Sequence, residues 1–138
     1  MTEIWKQCGD GLRRFYEVSN FGNLRSINKF TNEVYILKQT TSANGYNFIK
    51  VNKKNRFTHH LVMKAFCGDR PFDRVVDHID RNKQNNCLEN LRYCTHKENS
   101  MNSSRYRADV VGTPYERNLI LVGQRMKRYY QRKKNKVA

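Results

Sequence analysis

The chain has 138 residues, enough for one modest domain with an appendage but not for two independently packed globules of ordinary size. Lysine and arginine outnumber aspartate and glutamate by 27 to 12, and the resulting charge of +15 points to a polyanionic partner, nucleic acid first. No apolar run approaches the ~18 residues of a spanning helix and no basic-then-apolar leader opens the chain, so the expectation is an intracellular protein with no membrane partner.

Between residues 16 and 51, short runs rich in Val, Ile, Tyr and Phe are separated by turn dipeptides: YEVSN, the turn at Gly22-Asn23, LRSI, VYILK, Asn44-Gly45 and YNFIKV. These signals predict a small antiparallel β unit. Arg25, Lys38 and Lys50 stand on its strands beside aromatics, so one face is expected to build the core and the other to meet phosphate or water. Trp5, upstream, is expected to anchor the core. Over 58–66, Leu61, Val62, Ala65 and Phe66 fall at helical spacing and predict a short amphipathic helix, with His59 packed or hydrogen-bonded on it. Pro71 then marks a loop.

The stretch VVDHIDRNKQNNCLENLRYCTHKEN, 75–99, reads as a strand, a long polar loop, a second strand around LRYCT and a helix from about His96. Thr95 is placed as an N-cap, with Glu98 three residues on to complete a capping box. Within the loop, Asp80 and Asn82 fit Asx turns, and Asn85 and Asn86 either do the same or fix the hairpin loop. A second capping box opens at Thr113-Pro114-Tyr115-Glu116; Leu119, Val122, Met126 and Tyr129 or Tyr130 then recur at spacings of three and four, predicting a helix to about Arg132. From Arg105 onward ten basic residues face two acids, so this last quarter carries about half of the net charge. Cys8, Cys67, Cys87 and Cys94 form no Cys-x-x-Cys pair, so zinc is not expected and the thiols are read as packing groups.

Hydrolysis of a phosphodiester needs a deprotonated water, stabilisation of charge on the phosphate oxygens and neutralisation of the leaving alkoxide. An imidazole serves the first need, and a hard divalent cation on carboxylate and amide oxygens serves the others. Asp77 and His78 are neighbours on a predicted strand, so their side chains point to opposite faces and suggest a division of labour. A helix across the strands could bring Asn99 to a metal, with His96 one turn earlier on the same face. On these residues alone, a strand-end Asp that caps the loop and a His that packs or contacts phosphate fit equally well.

The same stretch closely resembles the HNH nuclease motif of phage and intron-encoded homing endonucleases: Asp-His, an Asn-rich loop, Asn-Leu-Arg, then Thr and a terminal Asn. THHLVMKAF resembles the family's His-Arg-Leu-Val-Ala-x-x-Phe helix, with His60 where Arg is usual, and IWKQC, YEVSNFGNLRSI and GYNFIKV resemble the modular DNA-binding segment that often precedes this nuclease. The resemblance spans about residues 3–104. It implies an α+β fold in three parts: a β-rich DNA-binding segment at 1–55, a ββα-metal nuclease core at 56–104, and a basic C-terminal helical extension at 105–138. It further implies Asp77 and Asn99 as ligands of one Mg²⁺ or Mn²⁺, with His96 as an alternative ligand, His78 as general base, and Asn90 as the central Asn that orients the loop. Duplex DNA would be held by Arg25, Lys38, Lys50 and His60, and by Arg125, Lys127, Arg128, Arg132, Lys133 and Lys134. One such site cuts one strand, leaving 5′-phosphate and 3′-hydroxyl ends, so a monomer would nick and a homodimer could break both strands. The competing expectations are a DNA-binding protein on a vestigial nuclease fold and a basic RNA-binding protein.

Overall fold

A computed structural model describes residues 2–51 and 53–102; the expected basic helix, with Arg125, Lys127, Arg128, Arg132, Lys133 and Lys134, lies outside the described residues. The N-terminal strands β1 (Trp5–Asp10), β2 (Arg14–Ser19), β3 (Leu24–Asn28) and β4 (Val34–Ile36) form an antiparallel sheet in chain order. Val18 and Leu24 face each other across β2 and β3, and both are buried. The turn between them needs Gly22, whose φ of +81° is open to glycine at no steric cost.

A second sheet joins β5 (Thr40–Thr41), β6 (Asn47–Val51) and β7 (Lys54–Phe57), all antiparallel. Along β6 the alternation is clean: Ile49 and Val51 are buried while Lys50 is exposed. Helix α1 (Thr58–Cys67) follows directly, and then the hairpin β8 (Arg74–His78) and β9 (Leu91–Thr95) with a 3₁₀ turn at Leu88–Asn90 before β9. Helix α2 (His96–Met101) closes the described chain, and its expected capping box is present: Thr95 accepts from the Glu98 amide, and Glu98 accepts from the Thr95 amide.

The core consists of Val18, Leu24, Ile49, Val51, Leu61, Val62, Met63 and Leu91. It therefore draws on all three sheets and on α1, so the N-terminal strands and the hairpin share one hydrophobic interior. Each such side chain contributes about 1.5–3 kcal/mol of burial free energy. Trp5 is a correction. It is half-buried and its ring is covered by the Arg25 guanidinium at 4.2 Å, so it serves as a stacking surface outside the buried set.

Candidate active site

Antiparallel pairing puts Asp77 opposite Arg92 and His78 opposite Leu91 at the end of the hairpin. Asp77 and His78 are 6% and 5% exposed, and their side chains serve different faces of β8. On the Asp77 face, Oδ2 accepts from Arg92 Nη2 at 2.5 Å and Nε at 2.8 Å. Asn102, just past α2, donates Nδ2 to Asp77 Oδ1 at 3.0 Å, to Oδ2 at 3.1 Å and to the His78 carbonyl at 2.9 Å. Three acceptors around one nitrogen fix that amide's orientation, and its oxygen turns toward Arg81 Nε at 3.3 Å. Asn99 and His96, the expected metal ligands on α2, are both exposed; the residue on Asp77 is Asn102, three positions beyond Asn99. Asn102 stands at i+3 from Asn99 on the same helical face, but nothing in the sequence sets it apart from the other asparagines nearby.

On the other face, His78 Nε2 lies 3.1 Å from Asn86 Oδ1. Asn86 is 4% exposed, and its own Nδ2 donates to the Gln84 carbonyl at 3.2 Å, which leaves the amide oxygen toward the imidazole. An amide oxygen only accepts, so this contact requires a proton on Nε2, and in the neutral ring it leaves the lone pair on Nδ1. The His78 ring is walled by Tyr46 and His59, with centroids at 5.9 and 5.1 Å. Burial first, then His60 and His78, pull the His59 imidazole down to about 3, and its Nδ1 is buried without a hydrogen-bond partner among the described residues. A neutral ring is thus the neighbour that His78 has.

The loop between the strands is tied by amides. Asn90 Nδ2 donates to Asp80 Oδ1 and to the Asn85 carbonyl, both at 2.8 Å, while its Oδ1 accepts from the Asp80 amide at 3.0 Å. Its carbonyl accepts from the Ile79 amide at 2.8 Å. Asn90 therefore organises the loop, and the side chain on the His78 imidazole is Asn86. Burial opposes charge on Asp80, but hydrogen bonds from Asn85, the Asn82 amide and Asn90, with His78 nearby, outweigh it and hold the carboxyl below its ordinary value. Asp80 also accepts from the Asn82 amide at 2.8 Å, the Asx turn expected there.

The expected DNA-contacting residues divide. Lys38, Lys50 and His60 are exposed. Arg25 is turned inward: its Nε bonds Glu17 at 2.6 Å while the guanidinium stacks on Trp5, so its charge is engaged within the protein.

Residues 56–101 match the family model described as HNH endonuclease, and residues 3–52 match the NUMOD4 motif. Residues 56–101 belong to the HNH endonuclease family. The DNA endonuclease I-HmuI of Bacillus phage SP01 is 37% identical over 102 residues, covering 71% of this chain and 56% of that sequence. The SPbeta prophage-derived putative HNH homing endonuclease YosQ of Bacillus subtilis (strain 168) is 39% identical over 74 residues, 54% of this chain and 42% of its own length. A solved structure described as "DNA binding and cleavage by the HNH homing endonuclease I-HmuI" superposes with a TM-score of 0.56 at 32% identity, covering 78% of this chain and 62% of that one. The chain thus spans less than two thirds of these relatives.

Proposed function

We propose that this chain is a DNA endonuclease that hydrolyses phosphodiester bonds in duplex DNA, with His78 as the general base. The observation that carries it is the paired strand end within the HNH match, where Asp77 and His78 are each buried and each held by an asparagine of its own. A DNA partner accords with the binding and cleavage of DNA described for I-HmuI and with the charge of +15.

With Nε2 turned to Asn86, His78 takes the proton of the attacking water at Nδ1, and the Asn86 oxygen stabilises the imidazolium that forms. HNH nucleases generally use divalent metal ions. The donor chemistry suits a hard cation of that kind: the carboxylate of Asp77, whose Oδ1 accepts one amide N–H among the described residues, and the side-chain amide oxygen of Asn99, which is exposed on α2. Asp77 and Asn99 would hold one Mg²⁺ or Mn²⁺, His96 being the alternative to Asn99; such an ion, when bound, stabilises charge on the phosphate and the departing 3′ oxygen. Asn102 presents N–H rather than oxygen to Asp77, and so it aims the carboxylate instead of binding the ion. Lys38, Lys50, His60 and the basic residues beyond 104 would meet phosphates, which position the duplex more than they read its sequence. A single site of this composition cuts one strand, so a monomer nicks and leaves 5′-phosphate and 3′-hydroxyl ends.

Supercoiled plasmid tests this directly. With Mg²⁺ or Mn²⁺ the protein is expected to convert it to open circles, and His78→Ala to leave it supercoiled. A plasmid that is retarded on a gel but never cut, with either metal, would leave a DNA-binding protein on a vestigial nuclease fold.

A further inference from the structure

The N-terminal strands do more than share a core with the hairpin. The turn at 20–23, between β2 and β3, lies directly against the loop that carries Asn86. A Cβ built on Gly22 would stand 2.8 Å from Asn86 Cβ and 2.9 Å from the Asn86 carbonyl oxygen, so only glycine lets the two backbones meet. The Leu88 amide donates to the Asn20 carbonyl at 2.8 Å, and Cys87 Sγ lies 3.6 Å from the Phe21 carbonyl. Residues 86–88 are therefore held against the turn at three consecutive positions. The turn is itself braced: the Ser19 hydroxyl, fully buried, accepts from the amides of Phe21 at 3.2 Å and Asn23 at 3.1 Å. Gln39 Nε2 also donates to the Gly22 carbonyl at 2.9 Å, and Gln39 Oε1 accepts from the Thr58 hydroxyl at the start of α1 at 2.5 Å.

We propose that the 20–23 turn is a positioning element for the general base: it seats Asn86, and Asn86 holds the His78 imidazole by Nε2, which leaves Nδ1 free among the described residues. This rests on the proposed nuclease activity for its catalytic consequence, while its structural half stands apart from it. The segment that matches NUMOD4 then has a role within the reaction centre besides any contact with DNA. Gly22, Gln39 and Asn86 are positioning residues, since each acts through another group.

The test uses the full chain and two readouts, the ring-nitrogen NMR signature of His78 and the separate kcat and KM for plasmid cleavage with Mn²⁺. Gly45 supplies the control. Its φ is +84°, so alanine meets the same backbone penalty, yet among the described residues a Cβ there meets Lys83 Cδ alone, at an ordinary 3.6 Å. Wild-type protein is expected to show the Nε2–H tautomer, and Asn86→Ala to lose it. Asn86→Ala and Gly22→Ala should each lower kcat about 10- to 100-fold with KM within about threefold, and the double variant should fall no further than the worse single one. Asn86→Asp, which keeps an acceptor oxygen, should recover most of the kcat, and Gly45→Ala should stay within about twofold of wild type. Should Gly22→Ala fail to fold, Gln39→Ala frees the same carbonyl without a clash, and is expected to lower kcat several-fold and to mix the tautomers. Equal kcat for Gly22→Ala and Gly45→Ala, or an unchanged tautomer in Asn86→Ala, overturns the proposal. Wild-type protein that cuts no DNA but shows the tautomer change defeats the nuclease assignment and leaves the positioning intact.

Discussion

The four-stranded sheet and the β8–β9 hairpin are opposite in construction. The sheet turns Val18 and Leu24 into the common core and is held by antiparallel ladders, with one register shift between Gln7 and Gly9, and by short turns. The hairpin contributes Leu91 to that core, but its far end is a chain of buried polar groups, Arg92, Asp77, Asn102, His78 and Asn86, with the more open Asp80, Asn85 and Asn90 at its rim. Apolar packing tolerates a partner of about the right size; a buried polar network does not, because each lost partner strands a desolvated donor or acceptor. The hairpin end thus holds its geometry more tightly and is the more easily ruined.

The largest effect expected is at the charged pair. Arg92→Leu leaves the Asp77 carboxylate buried with its cation gone, and should cost about 3–5 kcal/mol in urea unfolding at neutral pH. Met63→Ala, at a fully buried site in α1, should cost about 2–5 kcal/mol by cavity formation. Adding Asp77→Leu should recover much of the Arg92→Leu loss, because the stranded charge is then gone, whereas it should leave the Met63→Ala deficit in place. No recovery in the Asp77→Leu, Arg92→Leu double variant would erase the contrast between polar network and apolar core.

His59 sharpens it further. Its folded imidazole titrates at about 3, the unfolded one near the ordinary 6.5, so below about pH 6.5 the unfolded chain binds the extra proton and stability falls as pH falls. At about pH 5 the loss should reach roughly 2 kcal/mol relative to pH 7, and His59→Phe should flatten that part of the profile. An unchanged slope in the variant would show that His59 is not the group responsible. Smaller again is Thr95→Ala, which removes the N-cap of α2 and should cost about 1 kcal/mol. Asp69→Asn, which breaks an ion pair to Lys64 whose side chains are 86% and 70% exposed, should leave the unfolding midpoint where it was.

Much of this architecture is legible in the amino-acid order, and the illegible part has a common cause. Alternating Val, Ile, Tyr and Phe between glycine-asparagine signals marks β2, β3, β4 and β6; the spacing of Leu61, Val62, Ala65 and Phe66 marks α1; Thr95 and Glu98 mark the start of α2. Strand β7, KNRF, is hidden because three of its four residues are exposed polar ones, and because the turn before it uses Lys53 at φ +64° where a glycine or asparagine would have been the signal. At the site, the Asp-His pair and the loop-tying Asn90 stand out, but Asn86 and Asn102 look like any other asparagine in a run of them. Their roles come from register and from a chain segment some sixty-five residues away, as in the contact of Gly22 with Asn86, which no local period encodes. The inward turn of Arg25 is hidden for the same reason, since Glu17 reaches it across a strand pair and Trp5 through a ring contact.

The close approach of Gly22 to Asn86 also bears on how such proteins can be recombined. A β segment of this kind cannot be exchanged between nucleases as a self-contained cassette, because one of its glycines is fitted to a residue that stays behind in the recipient. Functional hybrids between relatives are expected to inherit positions 22 and 86 together. Across a broad set of homologues, any substitution of the glycine should travel with a change in the loop it touches.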